Sequence, residues 1–241
     1  MIAYRIEILP LIKNLKREIP DVTQPWYADD ARALGTFAIL ETYFDLLTCH
    51  GPGRGYHPDL TKSVLIVRPD NIEAGKVCGA RHGFRVCTGS RYLGGCIGED
   101  ESKCDYLGER TLTWEKNNKM IRETARKYPQ ESYAAVVCSI QSEWIFLQRV
   151  TWYTGGAFAG VEKMIRGTFL PRLFFRKKTH SPIVGSLSTM PVKKSGLGLL
   201  NPVTSAKDEY LSSQRGSVEL IKAVAGGGEF SNADHIQTLS E

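Results

Sequence analysis

The sequence has no long apolar run. Its apolar runs, such as Val64-Leu65-Ile66-Val67, fall far short of the ~20 residues that a membrane span needs. It also has no tight Cys-x2-Cys pair, although six cysteines are present, at 49, 78, 87, 96, 104 and 138. Zinc sites usually carry such a pair, so Cys78, His82 and Cys87, spaced x3 and x4, read as structural residues rather than a ligand set. The cysteines are scattered through a chain with enough core to fold without staples, which fits reduced thiols better than a disulfide framework. The N-terminal stretch MIAYRIEILPLI has no uninterrupted apolar segment, because Arg5 and Glu7 interrupt it, and so does not read as a signal peptide. The expectation is an intracellular chain, not secreted, with nucleus and cytoplasm both open. No internal repeat is visible. Hydrophobic residues at 42% and charged residues at 24% are ordinary for a globular protein, which excludes collagen, a disordered tail and a coiled-coil rod. A length of 241 residues allows one large core or two small ones.

The net charge of +5 is modest, but its distribution is uneven. From Arg110 to Lys178 there are 13 Lys and Arg against 5 Asp and Glu, a net of +8 that leaves −3 for the rest. A basic middle segment is a candidate phosphate-binding surface; its plainer explanation is a solvated helix face.

The apolar spacing predicts a helix over 2–18, with Pro10 counting against its continuity. A short strand follows at Val22 to Trp26, and a second near Ala31 to Leu34. Phe37, Leu40, Phe44 and Leu47 share one face of a further helix. Residues 51–56, Gly-Pro-Gly-Arg-Gly-Tyr, read as a turn rather than a phosphate loop. Thr61 to Val67 reads as a buried strand, with short strands at Phe84–Cys87 and Tyr92–Ile97. Beyond residue 100 the period becomes helical. Tyr133, Val136, Val137, Ile140, Trp144 and Leu147 form one stripe, and Phe158, Val161, Ile165 and Phe169 another; both read as core. The stretch 193–202 reads as a loop or linker. Short helices follow near 203–213 and 216–225, stopped by Gly226 to Gly228, and then a mobile polar tail. The expected class is α+β, with a boundary near Gly98–Ser102.

The segment that carries chemistry is Tyr27-Ala28-Asp29-Asp30, between the two short strands. Two adjacent carboxylates at a hairpin tip repel each other, and a divalent cation removes that cost. In two-metal phosphoryl transfer, carboxylates hold two ions about 3.5–4 Å apart. A surface turn is the competing explanation, since a Tyr-x-Asp-Asp string arises by chance in roughly one chain of this length in fifty.

Tyr27-Ala28-Asp29-Asp30 resembles the C motif (YADD) of reverse transcriptases, those of non-LTR retrotransposons in particular. Gly55-Tyr56-His57-Pro58-Asp59-Leu60-Thr61-Lys62-Ser63 resembles the D motif. Arg91-Tyr92-Leu93-Gly94-Gly95 resembles the primer-grip block. Residues 194–202, Lys-Ser-Gly-Leu-Gly-Leu-Leu-Asn-Pro, are similar to a Gly-Leu-Gly segment after the thumb. The blocks stand in that family's order and span about residues 22–205. The resemblance implies an RNA-directed DNA polymerase, a nucleotidyltransferase, seen as a partial palm over 1–100, a helical thumb over 101–180 and a C-terminal extension over 181–241.

The same resemblance assigns roles. Asp29 and Asp30 would hold Mg²⁺ or Mn²⁺, and Lys62 would act with them at the nucleotide phosphates. Tyr27, with Arg91, Tyr92, Leu93, Gly94 and Gly95, would contact the primer end and incoming nucleotide. Lys116, Lys119, Arg122, Arg126, Arg172 and Arg176 would track the nucleic-acid backbone. The partners implied are an RNA template, an RNA–DNA duplex and dNTPs, with no membrane. The departures are a missing A-motif aspartate and a missing Gln-Gly B motif. The expectation is therefore weak metal binding and an inactive, truncated chain, or a nucleic-acid-binding remnant without catalysis. Arg32, just past the Asp pair, adds a positive charge that weakens cation binding or pairs with Asp30.

Overall fold

A computed structural model describes residues 2–27, 30–153, 155–174, 182–226 and 228–240. The described residues are a mixture of helices and small two-stranded sheets, compatible with the α+β class. They fall into two compact units, Met1–Ser90 and Arg91–Glu241. That division lies ahead of the one read from the sequence, because the hairpin at 89–98 docks on helices of the second unit.

The first unit opens with α1 (Ile2–Glu18), which runs unbroken through Pro10. A proline inside a helix costs about 3 kcal/mol. Here Ile8, Leu11 and Leu15 form a buried stripe that continues into Ile19 and Val22, and its burial offsets that cost. The chain then turns into β1 (Trp26–Tyr27) and β2 (Asp30–Ala31), an antiparallel pair extended by a bridge between Thr23 and Leu34. Next comes α2 (Phe37–His50), whose N-cap is Thr36, with Oγ1 accepting from Ile39 N. Its Tyr43 and Leu47 pack with α1, while Phe37 and Leu40 join a second small core.

That second core belongs to a strand–helix–strand unit. β3 (Val64–Ile66) pairs in parallel with β4 (Arg85–Cys87), and α3 (Ile72–His82) connects them. The strand expected over 61–67 is thus shorter, because residues 59–63 are folded into a side-chain-bonded turn. The helix α3 has no counterpart in the sequence reading. Its buried face is Gly75, Cys78 and Gly79, small residues that give little apolar contrast.

The chain enters the second unit within β5 (Gly89–Tyr92), which forms a hairpin with β6 (Gly95–Gly98). The expected single strand over 92–97 is broken by a turn. Leu93 and Gly94 have φ of 44° and 86°, the left-handed pair that reverses a hairpin in two residues. The helices α4 (Asp100–Thr124), α5 (Pro129–Ala135) and α6 (Gln141–Val150) follow, with a π-turn at Val136–Ile140 joining the last two. Then come α7 (Ala159–Met164), a second π-turn (Ile165–Phe169), α8 (Leu170–Leu173) and α9 (Pro182–Thr189). Both apolar stripes read from the sequence line one core, in which Trp114, Trp144, Phe158 and Phe169 are fully buried.

Residues 190–201 are not a free linker but a strap laid into that core by Leu199. The two short helices expected after it are one, α10 (Pro202–Gly226). A glycine inside a helix costs only about 1 kcal/mol, and α10 runs through Gly216. The tail expected to be mobile forms α11 (Asn232–Ser240), begun by Ser231, whose Oγ accepts from Asp234 N. Ala206 of α10 is buried in the same core as residues of α6 and α7.

Candidate functional site

Of the Tyr-Ala-Asp-Asp segment, Tyr27 ends β1 and Asp30 begins β2. Trp26 opposes Ala31 and Tyr27 opposes Asp30. Asp29 itself lies outside the described residues. The base of the hairpin is anchored. Gln24 donates from Nε2 to Ile12 O (2.9 Å) and accepts from Trp26 Nε1 (3.3 Å). Lys16 donates from Nζ to Pro20 O and Val22 O, and Trp26 meets Tyr56 edge-on at 5.3 Å. The tip is open: Tyr27 is 60% exposed and the Asp30 side chain 52%. The Asp30 carboxylate faces the Arg32 guanidinium, with Nη2 3.4 Å from Oδ2.

Lys62 stands before β3, as the sequence predicts, and its side chain is 85% exposed. It pairs with Asp59 at 3.2 Å rather than pointing free. Asp59 organises the turn. Its Oδ1 accepts from Thr61 Oγ1 (2.7 Å) and Thr61 N (3.0 Å), and its backbone carbonyl accepts from Ser63 Oγ. The Thr61 hydroxyl first, then Lys62, holds the Asp59 carboxyl below the usual range.

The block Arg91 to Gly95 belongs to the second unit and forms the end of β5, the turn and the start of β6. Arg91 and Leu93 are exposed; Tyr92 is half-buried. The glycines answer to packing. A Cβ on Gly94 would sit 2.9 Å from Phe146, and one on Gly95 would sit 2.8 Å from Val150. Tyr106 donates to Gly94 O at 2.9 Å, which pins the turn to α4.

The basic candidates sit mainly on α4 and the turn after it. Lys116, Lys119 and Arg126 are exposed, and Arg122 is half-buried. Arg172, on α8, is exposed; Arg176 lies outside the described residues. Among the described residues, none of Lys116, Lys119, Arg122, Arg126 and Arg172 takes part in an ion pair. Other basic residues of the same segment do: Arg110 with Glu143, Arg149 with Glu209 and Arg166 with Glu162. The ends of α4 are oppositely charged, with Asp100 and Glu101 in its first turn and Arg122 in its last. This order follows the helix macrodipole.

The Gly-Leu-Gly stretch is held by polar side chains that the sequence reading passed over. Tyr133 donates to Leu197 O. Gln141 donates to Gly198 O (3.1 Å) and accepts from Leu200 N (3.1 Å), pairing with the strap as a neighbouring strand does. Gln148 donates to Pro202 O (2.7 Å) and accepts from Ser205 Oγ (3.1 Å). Asn201 donates to Glu162 and accepts from Val203 N, capping α10. A Cβ on Gly196 would lie 2.0 Å from Met190 O, and Gly198 has φ of 62°, so both glycines are sterically required. A signal was available: Gln141 and Gln148, seven apart, interrupt an apolar stripe.

Of the two carboxylates expected to hold a divalent cation, only Asp30 lies among the described residues, and Arg32 faces it. No group of three or more His, Cys, Asp or Glu side chains that could hold a metal ion occurs among the described residues. No helix among them is long and apolar enough to cross a membrane. No family model matches the chain, and comparisons with curated proteins and with solved structures return no significant match.

Proposed function

We propose that this chain is part of an RNA-directed DNA polymerase of the non-LTR retrotransposon kind, and that these 241 residues alone bind an RNA–DNA hybrid without extending a primer. The observation that carries the reading is the hairpin register. Tyr27 opposes Asp30 in the antiparallel β1–β2 pair, so the first and last residues of the Tyr-Ala-Asp-Asp string face each other on an anchored ribbon. A rigid ribbon suits a carboxylate that must be aimed at reacting atoms. The absence of extension follows from the blocks present. None of them supplies the A-motif aspartate, and misplacing reacting groups by about 1 Å costs on the order of 10²-fold.

The binding half of the reading is supported by the basic cluster at 116–126. Among the described residues these side chains take part in no ion pair, which leaves them able to replace the counterions of a phosphate backbone. Binding by such residues is sequence-independent and falls steeply with salt. That cluster equally supports the second reading, a nucleic-acid-binding chain with no part in catalysis.

The test is fluorescence anisotropy of a labelled RNA–DNA hybrid against salt, in EDTA. The reading expects log affinity to fall linearly with log salt. Binding no tighter than that of an uncharged control protein overturns it. The two readings separate in the message upstream of Met1. An in-frame Asp-bearing strand and a Gln-Gly segment, with extension by the longer product lost in Asp29→Asn, support the polymerase. A longer product that binds but never extends supports the second.

A further inference from the structure

We propose that Tyr128, in the turn that ends the basic cluster of α4, is a stacking site for an unpaired base of a bound nucleic-acid strand. The inference rests on the nucleic-acid-binding reading above and deepens it by naming a residue that recognises single-stranded nucleotides. Tyr106 and Tyr133 pack against the core of the second unit, whereas Tyr128 is 46% exposed. Its backbone is nevertheless fixed. Tyr128 N donates to Thr124 O (2.8 Å), its carbonyl accepts from Ser132 N (3.1 Å), and Pro129 follows it at the start of α5. Ala125, fully buried, and the hydrogen bond between the Thr124 and Ser132 hydroxyls (3.3 Å) hold the same turn in place. Lys127 Nζ lies 5.2 Å from the centroid of the Tyr128 ring.

The surface beside this ring is cationic. Residues 112–128 carry five Lys and Arg against two carboxylates, Glu115 and Glu123. Lys116 and Lys119 are exposed on α4, and Arg126 and Lys127 in the turn. Sites for single strands combine such charge with an aromatic ring, since every base has a π-face and carries a phosphate beside it. Cation–π attraction holds the Lys127 ammonium at the ring, where it sets positive charge next to the phosphate of a stacked base. A ring whose backbone is already ordered loses little further freedom when a base covers it. In a duplex the bases stack on one another and have no face to offer. Tyr128 therefore separates unpaired from paired nucleotides, and does so without reading sequence.

The experiment compares three probes on the full chain in EDTA: a blunt RNA–DNA hybrid, the same hybrid with a short RNA overhang carrying 2-aminopurine, and that RNA strand alone. The unaltered chain is expected to quench the 2-aminopurine and to bind the overhang hybrid more tightly than the blunt one. Tyr128→Ala is expected to lose the quench and about tenfold in affinity for the overhang and the single strand. It is expected to bind the blunt hybrid as the wild type does, which also shows that the variant folds. Tyr128→Phe keeps the ring and is expected to match the wild type throughout. An unquenched overhang bound by the unaltered chain, Tyr128→Ala binding the overhang as tightly as the wild type, or Tyr128→Phe failing alongside it overturns the inference. The two readings fail separately. A single strand bound through Tyr128, with no binding of the blunt hybrid, removes the hybrid reading and keeps this one. Hybrid binding that is indifferent to Tyr128 on every probe does the reverse, and binding to none of the three overturns both.

Discussion

Replacing Gln148 should loosen the second unit more than any exposed polar substitution. Gln148 is 1% exposed, and both ends of its amide are used. Methionine has nearly the same length and flexibility, so Gln148→Met removes two hydrogen bonds without opening a large cavity. It leaves Pro202 O short of one partner and the Ser205 hydroxyl without its acceptor. Each buried polar group left so costs about 1–3 kcal/mol, part of which the gained apolar burial offsets, giving a net of about 2 kcal/mol. Gln148→Ala adds a cavity and should cost about 3 kcal/mol. Urea unfolding followed by tryptophan fluorescence reads this directly, since Trp114, Trp144 and Trp152 all lie in the second unit. With a slope of about 2 kcal/mol per molar, the midpoint should fall by about 1 M in Gln148→Met. Gln214, exposed on α10, is the control, and its change to Met should stay within about 0.5 kcal/mol. A double cycle with Ser205→Ala should give a coupling of about 1 kcal/mol. A Gln148→Met midpoint that matches the Gln214→Met control would refute the strap-clamping argument.

Four further outcomes follow from the same reasoning. Gly79→Ala should destabilise the first unit by about 1–3 kcal/mol despite its better helix propensity, because the new Cβ would lie 2.3 Å from Val86 Cγ2; a neutral or stabilising change in the Trp26 unfolding signal would contradict the α3–β4 packing. Lys116→Gln with Lys119→Gln should shrink the salt slope of hybrid binding by about 2, and an unchanged slope would place the phosphate contacts elsewhere. Burial raises the Tyr153 pKa above its ordinary 10.0, so its contribution to stability is fully present below that pH and is lost as pH rises further, when only the unfolded chain releases the proton. Stability should fall by up to about 1.4 kcal/mol per pH unit there, and Tyr153→Phe should remove that share; identical pH profiles would count against it. Finally, purified chain with Mg²⁺, primer–template and nucleotides should show no extension, and extension lost in Asp29→Asn would reverse that expectation.

The parts of this protein legible in its sequence are those whose apolar period is strong. The buried stripe of α1 at Ile8, Leu11 and Leu15, the face of α2 and the stripes through Trp144 and Phe169 all repeat at helical spacing over two turns or more. Such patterns identify a helix because each period needs one continuous partner surface. The hairpin was legible in outline, since two short apolar segments flank a polar turn, but the expected strands at 22–26 and 31–34 leave out Tyr27 and Asp30, which the structure pairs.

Tertiary structure decided what the period does not encode. The helix α3 is built on Gly75, Cys78 and Gly79, where close approach to Val67 and Val86 replaces large apolar side chains. The reversal at Leu93–Gly94 depends on two left-handed residues held by Tyr106 and Phe146. The helix α10 runs on through Gly216, where a sequence break was expected. The same holds at the candidate site. Sequence placed Asp30, Arg32, Asp59 and Lys62 in order, but their pairing is a matter of distance. Only the folded chain sets Arg32 against Asp30 and Lys62 against Asp59, because electrostatic partners are chosen by the few ångströms that strand register and turn geometry determine.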